Sequence, residues 1–115
     1  MKMPWRQVNY HPVYAPQLPK TAGVYAILRV KRTFGIPIAL NVLYVGKSKN
    51  LQRRLTQHTD PYRQHNRHLN ALQDKQGLEF WYVEVGTGEL DLLERQLIRE
   101  LAPVTNILRY EHASA

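Results

Sequence analysis

Cysteine is absent from the 115-residue chain, which excludes disulfides, thiolate zinc sites and cysteine nucleophiles. Long apolar runs are absent too. No stretch approaches the roughly 20 residues that a membrane span needs, and the N-terminus lacks a signal-peptide core, so a cytoplasmic setting is expected. Acidic residues are the scarce charge: nine Asp and Glu stand against sixteen Lys and Arg, for a net charge of +7. That imbalance favours a polyanionic partner, most simply nucleic acid, although a solvated basic surface would also produce it. With 43% hydrophobic and 22% charged residues, the chain has the balance of one globular domain, without repeats or low-complexity tracts.

Pro4, Pro12, Pro16 and Pro19 deny residues 1–20 regular hydrogen bonding, which predicts an extended N-terminal arm laid over the domain. The aromatics of this arm, Trp5, Tyr10 and Tyr14, suit packing better than base stacking. Residues 21–110 are expected to form the folded domain and 111–115 a tail. GVYAILRV (23–30) and the run from Ala39 to Val45 are β-branched and aromatic, and Gly35 and Pro37 between them mark the turn of an antiparallel hairpin. A helix is expected from about residue 50 to 58, with Leu51 and Leu55 inward, and a second within 60–76 carrying Leu69 and Leu72. LEFWYVEV (78–85) reads as a third strand. A last helix runs from about Glu89 to Leu101 and stops before Pro103. The predicted class is α+β, with a small three-stranded, mainly antiparallel sheet flanked by helices.

The last helix contains a carboxylate out of place. At about 100° per residue, Leu90, Leu93, Leu97 and Leu101 share an apolar stripe, and Glu94 falls inside it while Arg95 and Arg99 fall outside. An unpaired buried carboxylate costs several kcal/mol, so Glu94 needs a cation, a metal or a water-filled cleft. A buried salt bridge to an arginine would serve; so would a role as metal ligand or acid–base group. On the first helix, Arg54 and His58 are four residues apart and share one face beside Leu51 and Leu55, while Arg53 points toward solvent. A cation and an imidazole there suit phosphate binding and proton transfer, and equally suit a helix edge with a snorkelling arginine. His65 and His68, three apart, have no accompanying ligand set and read as surface histidines.

Gly23-Val24-Tyr25 and Tyr44-Val45-Gly46, on the two paired strands, resemble the motifs that name the GIY-YIG nucleases. The string from Leu43 to Leu55, LYVGKSKNLQRRL, is similar to the nuclease module of bacterial nucleotide-excision repair. His58 follows where that family usually places His or Tyr, and Glu94 and Asn106 complete an ordered set of six positions. The two tyrosine motifs are farther apart here than is usual. The extra residues, from about Val30 to Ala39, fit a lengthened hairpin tip carrying Arg29, Lys31 and Arg32, read as a tolerated surface insertion.

The resemblance implies an endonuclease that hydrolyses phosphodiester bonds in DNA and leaves 5′-phosphate and 3′-hydroxyl ends. Glu94 would hold Mg²⁺ or Mn²⁺, weakly because it is a single carboxylate. Tyr25 and Tyr44 would line the attacking water. Lys47 or Arg54 is expected to lower a tyrosine pKa from its usual value of about 10, or His58 would take the proton instead. Arg54 would clamp the scissile phosphate with Lys47 beside it, and Asn106 would orient Glu94 or another site group. A catalytically silent nucleic-acid-binding module with the same fold is the competing expectation. No specificity domain is expected within these residues, so target choice would come from loops, a homodimer or a separate partner.

Overall fold

The central hairpin is longer than its sequence signals, and its turn explains why. In this computed structural model, which describes residues 3–60 and 77–103, β2 spans Gly23–Thr33 and β3 spans Ile36–Ser48. Thr33 pairs with Ile36, so only Phe34 and Gly35 make the turn, with φ of 51° and 83°. Positive φ at both central positions is the two-residue turn whose twist matches paired strands. Pro37 sits inside β3 because β3 is an edge strand, where a missing N–H costs no ladder bond. The lengthened tip is a paired ribbon whose register shifts between Lys31 and Arg32. Arg32, which could have reached for a ligand, is instead fixed to Glu79 through Nε at 2.8 Å and to the Gly35 carbonyl at 3.0 Å.

The expected extended arm forms part of the sheet. Residues Arg6–Asn9 make a short strand, β1, and Pro12–Gln17 a 3-10 turn. β4 (Leu78–Glu84) pairs antiparallel with β1 on one side and β2 on the other, so the sheet has four strands in the order β1-β4-β2-β3. The expectation of three strands is corrected by this one. β4 would otherwise present an open edge, and four proline-free residues are enough to cover it.

Alternation along β2 divides the core. Tyr25 and Ile27 point to one face, with Phe80, Tyr82, Leu51 and Leu55; Val24 points to the other, with Val83 and Leu90. Helix α1 (Leu51–Thr59) covers the first face, and its start is set by Asn50, whose side chain accepts from Arg53 N at 3.0 Å. Helix α2 (Leu90–Leu101) belongs to the second face, with Leu93 and Leu97 half-buried and Leu101 exposed at its end. The expected helix with Leu69 and Leu72, the histidines 65 and 68, Asn106 and the 111–115 tail lie outside the described residues. Among the described residues, no helix is long and apolar enough to cross a membrane.

Candidate active site

Register brings the two tyrosine motifs together. Tyr25 lies directly opposite Gly46, and Tyr44 is opposite Ile27, two positions along the same face. The two rings consequently meet at 6.1 Å between centroids. A β-carbon on Gly46 would overlap the hydroxyl and ring of Tyr25. One on Gly23 would overlap the Val83 carbonyl and come within 2.7 Å of Leu51 Cδ1. Both motif glycines are therefore steric necessities: one admits the Tyr25 ring, the other lets β2 approach β4 and α1.

His58 arrives from α1 and closes the cluster. Its Nε2 lies 2.7 Å from the Tyr25 hydroxyl, and its ring stands edge-on to both tyrosines, at 5.2 Å from Tyr25 and 5.5 Å from Tyr44. Phe80 stacks beneath Tyr25 at 4.9 Å. Tyr10, from the N-terminal segment, donates its hydroxyl to the His58 carbonyl at 2.6 Å and so ties the last turn of α1 to the sheet. Tyr25 is only 1% exposed. Burial pushes its phenol well above the usual tyrosine range; Tyr44 and Glu94 act the same way, and only Arg54 opposes them. The expected lowering by a neighbouring cation is thus overturned for Tyr25: the desolvation of a phenolate outweighs one guanidinium. The Tyr25 hydroxyl and His58 Nε2 share one hydrogen bond, whose direction follows the imidazole tautomer.

Glu94 is buried, at 8% exposure, as its place in the apolar stripe requires. Lys47, from the end of β3, brings its Nζ to 3.9 Å from Glu94 Oε1 and also pairs with Asp91, one turn earlier on α2. Asp91 stays below the usual carboxylate range because Lys47 bonds to it. Arg54 is half-buried and its Nε has no hydrogen-bond partner among the described residues, while Arg53 is exposed. Lys47, Arg53, Arg54 and Asp91 all line one open cleft of about 530 Å³.

Of the sequence-predicted residues, Tyr25, Tyr44 and His58 form one contact cluster, with Arg54 and Glu94 close enough to act on the Tyr25 charge. Lys47 joins Glu94 to the cleft. Two participants lie beyond the sequence-predicted site residues, Tyr10 and Asp91. Asp91 carries a weak signal, being three residues before Glu94 on one helix; Tyr10 packs in the core as the sequence suggests, but its bond to His58 has no local signal.

A family model described as the GIY-YIG catalytic domain matches residues 21–107. The UvrABC system protein C of Bartonella quintana is 33% identical over 95 residues, 83% of this chain and 13% of that protein. The protein of the same name from Maricaulis maris is 37% identical over 95 residues, 83% of this chain and 14% of that one. The chain thus spans only 13% to 14% of the length of these two curated relatives. Among solved structures, a point mutant of the GIY-YIG N-terminal endonuclease domain of UvrC from Thermotoga maritima, bound to its catalytic divalent cation, superposes with a TM-score of 0.53. It is 24% identical, and the alignment covers 81% of this chain and 90% of that one. The same domain bound to magnesium gives a TM-score of 0.50 at 22% identity, covering 81% and 91%. These structures share the fold, α+β on an antiparallel sheet. The chain belongs to the GIY-YIG family, and its folded core is that family's endonuclease domain.

Proposed function

We propose that this domain hydrolyses phosphodiester bonds in DNA with Mg²⁺ or Mn²⁺ at Glu94, leaving 5′-phosphate and 3′-hydroxyl ends. The observation that carries the reading is the buried Glu94 carboxylate, 3.9 Å from Lys47 of the basic cleft and close enough to act on the Tyr25 charge. A binding module has no use for a buried carboxylate beside phosphates, because it would repel them.

The donor set fits such an ion. No group of three or more His, Cys, Asp or Glu side chains gathers among the described residues. The offer is a single carboxylate beside the open cleft that Lys47 lines, and this suits a hard cation that keeps most of its waters and takes its remaining ligand from the substrate phosphate. When bound, the ion supplies stabilisation of the charge on the departing 3′ oxygen. The side chains do the rest. Arg54 aims its guanidinium at the scissile phosphate, where two parallel N–H bonds fix orientation and offset charge on the equatorial oxygens. Lys47 exchanges Asp91 for a phosphate oxygen. Tyr25 holds the His58 ring through their shared hydrogen bond, and Tyr25, Tyr44 and His58 jointly position the water and move its proton. By the family resemblance, Asn106 would orient Glu94 or another site group.

The test is a cleavage panel of single-stranded, nicked, branched and duplex DNA with Mg²⁺ or Mn²⁺, with the ends mapped. Wild type should cut with 5′-phosphate ends. Glu94→Ala should lose at least about a hundredfold in rate, as expected for a charge-stabilising group, while binding DNA as well as wild type. Wild-type rates from Glu94→Ala would refute the mechanism, and binding without cleavage on every substrate would establish the silent module.

A further inference from the structure

Besides Lys47 and Arg54, two exposed cations face the cleft that borders the site. Lys49 lies in the turn between β3 and α1. Arg53 and Gln57 are four residues apart on α1, stacked on the side that lines the cleft. Arg53, which the helix wheel assigns to solvent, is exposed and yet forms part of this wall.

The charge around the cleft is lopsided. All nine acidic residues of the chain lie at Asp60 or later, so β2, β3 and α1 carry no carboxylate at all. The one carboxylate on the cleft wall, Asp91, is already paired with Lys47. The lining includes no aromatic ring, so the cleft offers cations and amides to a backbone and no platform on which a base could stack. A volume of about 530 Å³ exceeds what a single phosphate fills, and it lies within the range of about 300 to 1,000 Å³ typical of ligand sites.

We infer that Lys49, Arg53 and Gln57 form a second phosphate subsite, holding the phosphodiester adjacent to the one that is cut. The strand is then gripped by two neighbouring phosphates, Lys47 and Arg54 on the scissile one, Lys49 and Arg53 on the next, with its bases outside the cleft. Binding at this subsite is independent of base sequence. The inference rests on the proposed endonuclease function and adds to it the way the strand is held.

The experiment measures binding of the full chain to fluorescein-labelled 20-nucleotide DNA, single-stranded and duplex, in EDTA across a NaCl series. Lys49→Ala and Arg53→Ala should each weaken binding of all sequences alike and reduce the slope of log affinity against log salt by about 1. Arg53→Lys should restore the slope. Both side chains are exposed, and the Asn50 cap uses only the backbone N of Arg53, so the fold should persist by circular dichroism. Lys31→Ala, which removes the same charge from the hairpin tip, should leave the slope unchanged. Equal losses from Lys31→Ala would show diffuse attraction and overturn the subsite, as would wild-type slopes in both cleft variants. If wild type shows the full slope yet cuts nothing with Mg²⁺ or Mn²⁺, the subsite stands and the endonuclease reading fails.

Discussion

Gly46 is the residue on which the tyrosine cluster depends most directly, because its missing side chain is the space that Tyr25 occupies. Gly46→Ala would push the Tyr25 hydroxyl off His58 Nε2. Overpacking of this kind costs about 1–3 kcal/mol, whereas a displacement near 1 Å in a catalytic group costs about a hundredfold in rate. The expected result is a modest fall in urea stability beside a much larger fall in single-turnover cleavage; proportional losses in both would show that Tyr25 serves packing alone. The sequence made the glycines visible as motif letters but hid their reason, since a close approach between strands exists only after register is set. Glu94 was legible for the opposite reason: a carboxylate in an apolar stripe is a local contradiction that needs no tertiary information. The protonation of Tyr25 could not be read, because charge neighbours are visible in a motif and desolvation is not.

At the scale of elements, α1 shows how far periodicity reaches. Leu51 and Leu55 are fully buried, His58 follows one turn later, and Arg54 flanks them, as the 3.6-residue repeat requires. Asn50 closes the start of this helix. Asn50→Ala should cost about 1 kcal/mol through the loss of the cap to Arg53 N. It should also loosen the first turn that leads to Arg54, so thermal melting should fall together with cleavage of dilute substrate, while an Asn50→Asp variant keeps the melting temperature. An unchanged melting curve for Asn50→Ala would remove the cap from the account. β1 was illegible by the same logic. Four residues between prolines give too short a run for alternation to register, and what makes them a strand is the open edge of β4. Arg32 and Glu79 belong to this class as well: a buried carboxylate on a strand was settled by a cation 47 residues away in sequence, satisfied also by Trp81 Nε1 at 3.1 Å.

For the molecule as a whole, the site is assembled from three directions: the sheet supplies both tyrosines, α1 supplies Arg54 and His58, and α2 supplies Glu94. Tyr10 links the N-terminal segment to this arrangement by a side-chain bond into α1, as does the Gln52 amide that donates to Leu18 O at 3.3 Å. The Tyr10 hydroxyl satisfies the His58 carbonyl, one of the orphan acceptors at a helix end, and its backbone N–H bonds to Leu78 O at 3.0 Å. Tyr10→Phe keeps the buried ring and removes only the hydroxyl. The carbonyl left behind should cost about 1 kcal/mol, which for a domain of this size lowers the melting temperature by about 4–8 °C. Below the melting range, the freed end of α1 should let the His58 ring wander from Tyr25, so cleavage should slow several-fold with DNA affinity retained. Differential scanning calorimetry and single-turnover assays on the full chain check both parts. If the melting point drops and the rate does not, the N-terminal segment supports the fold only; if both hold, the bond from sheet edge to catalytic helix has no energetic weight, and the site is built from β2, β3, α1 and α2 alone.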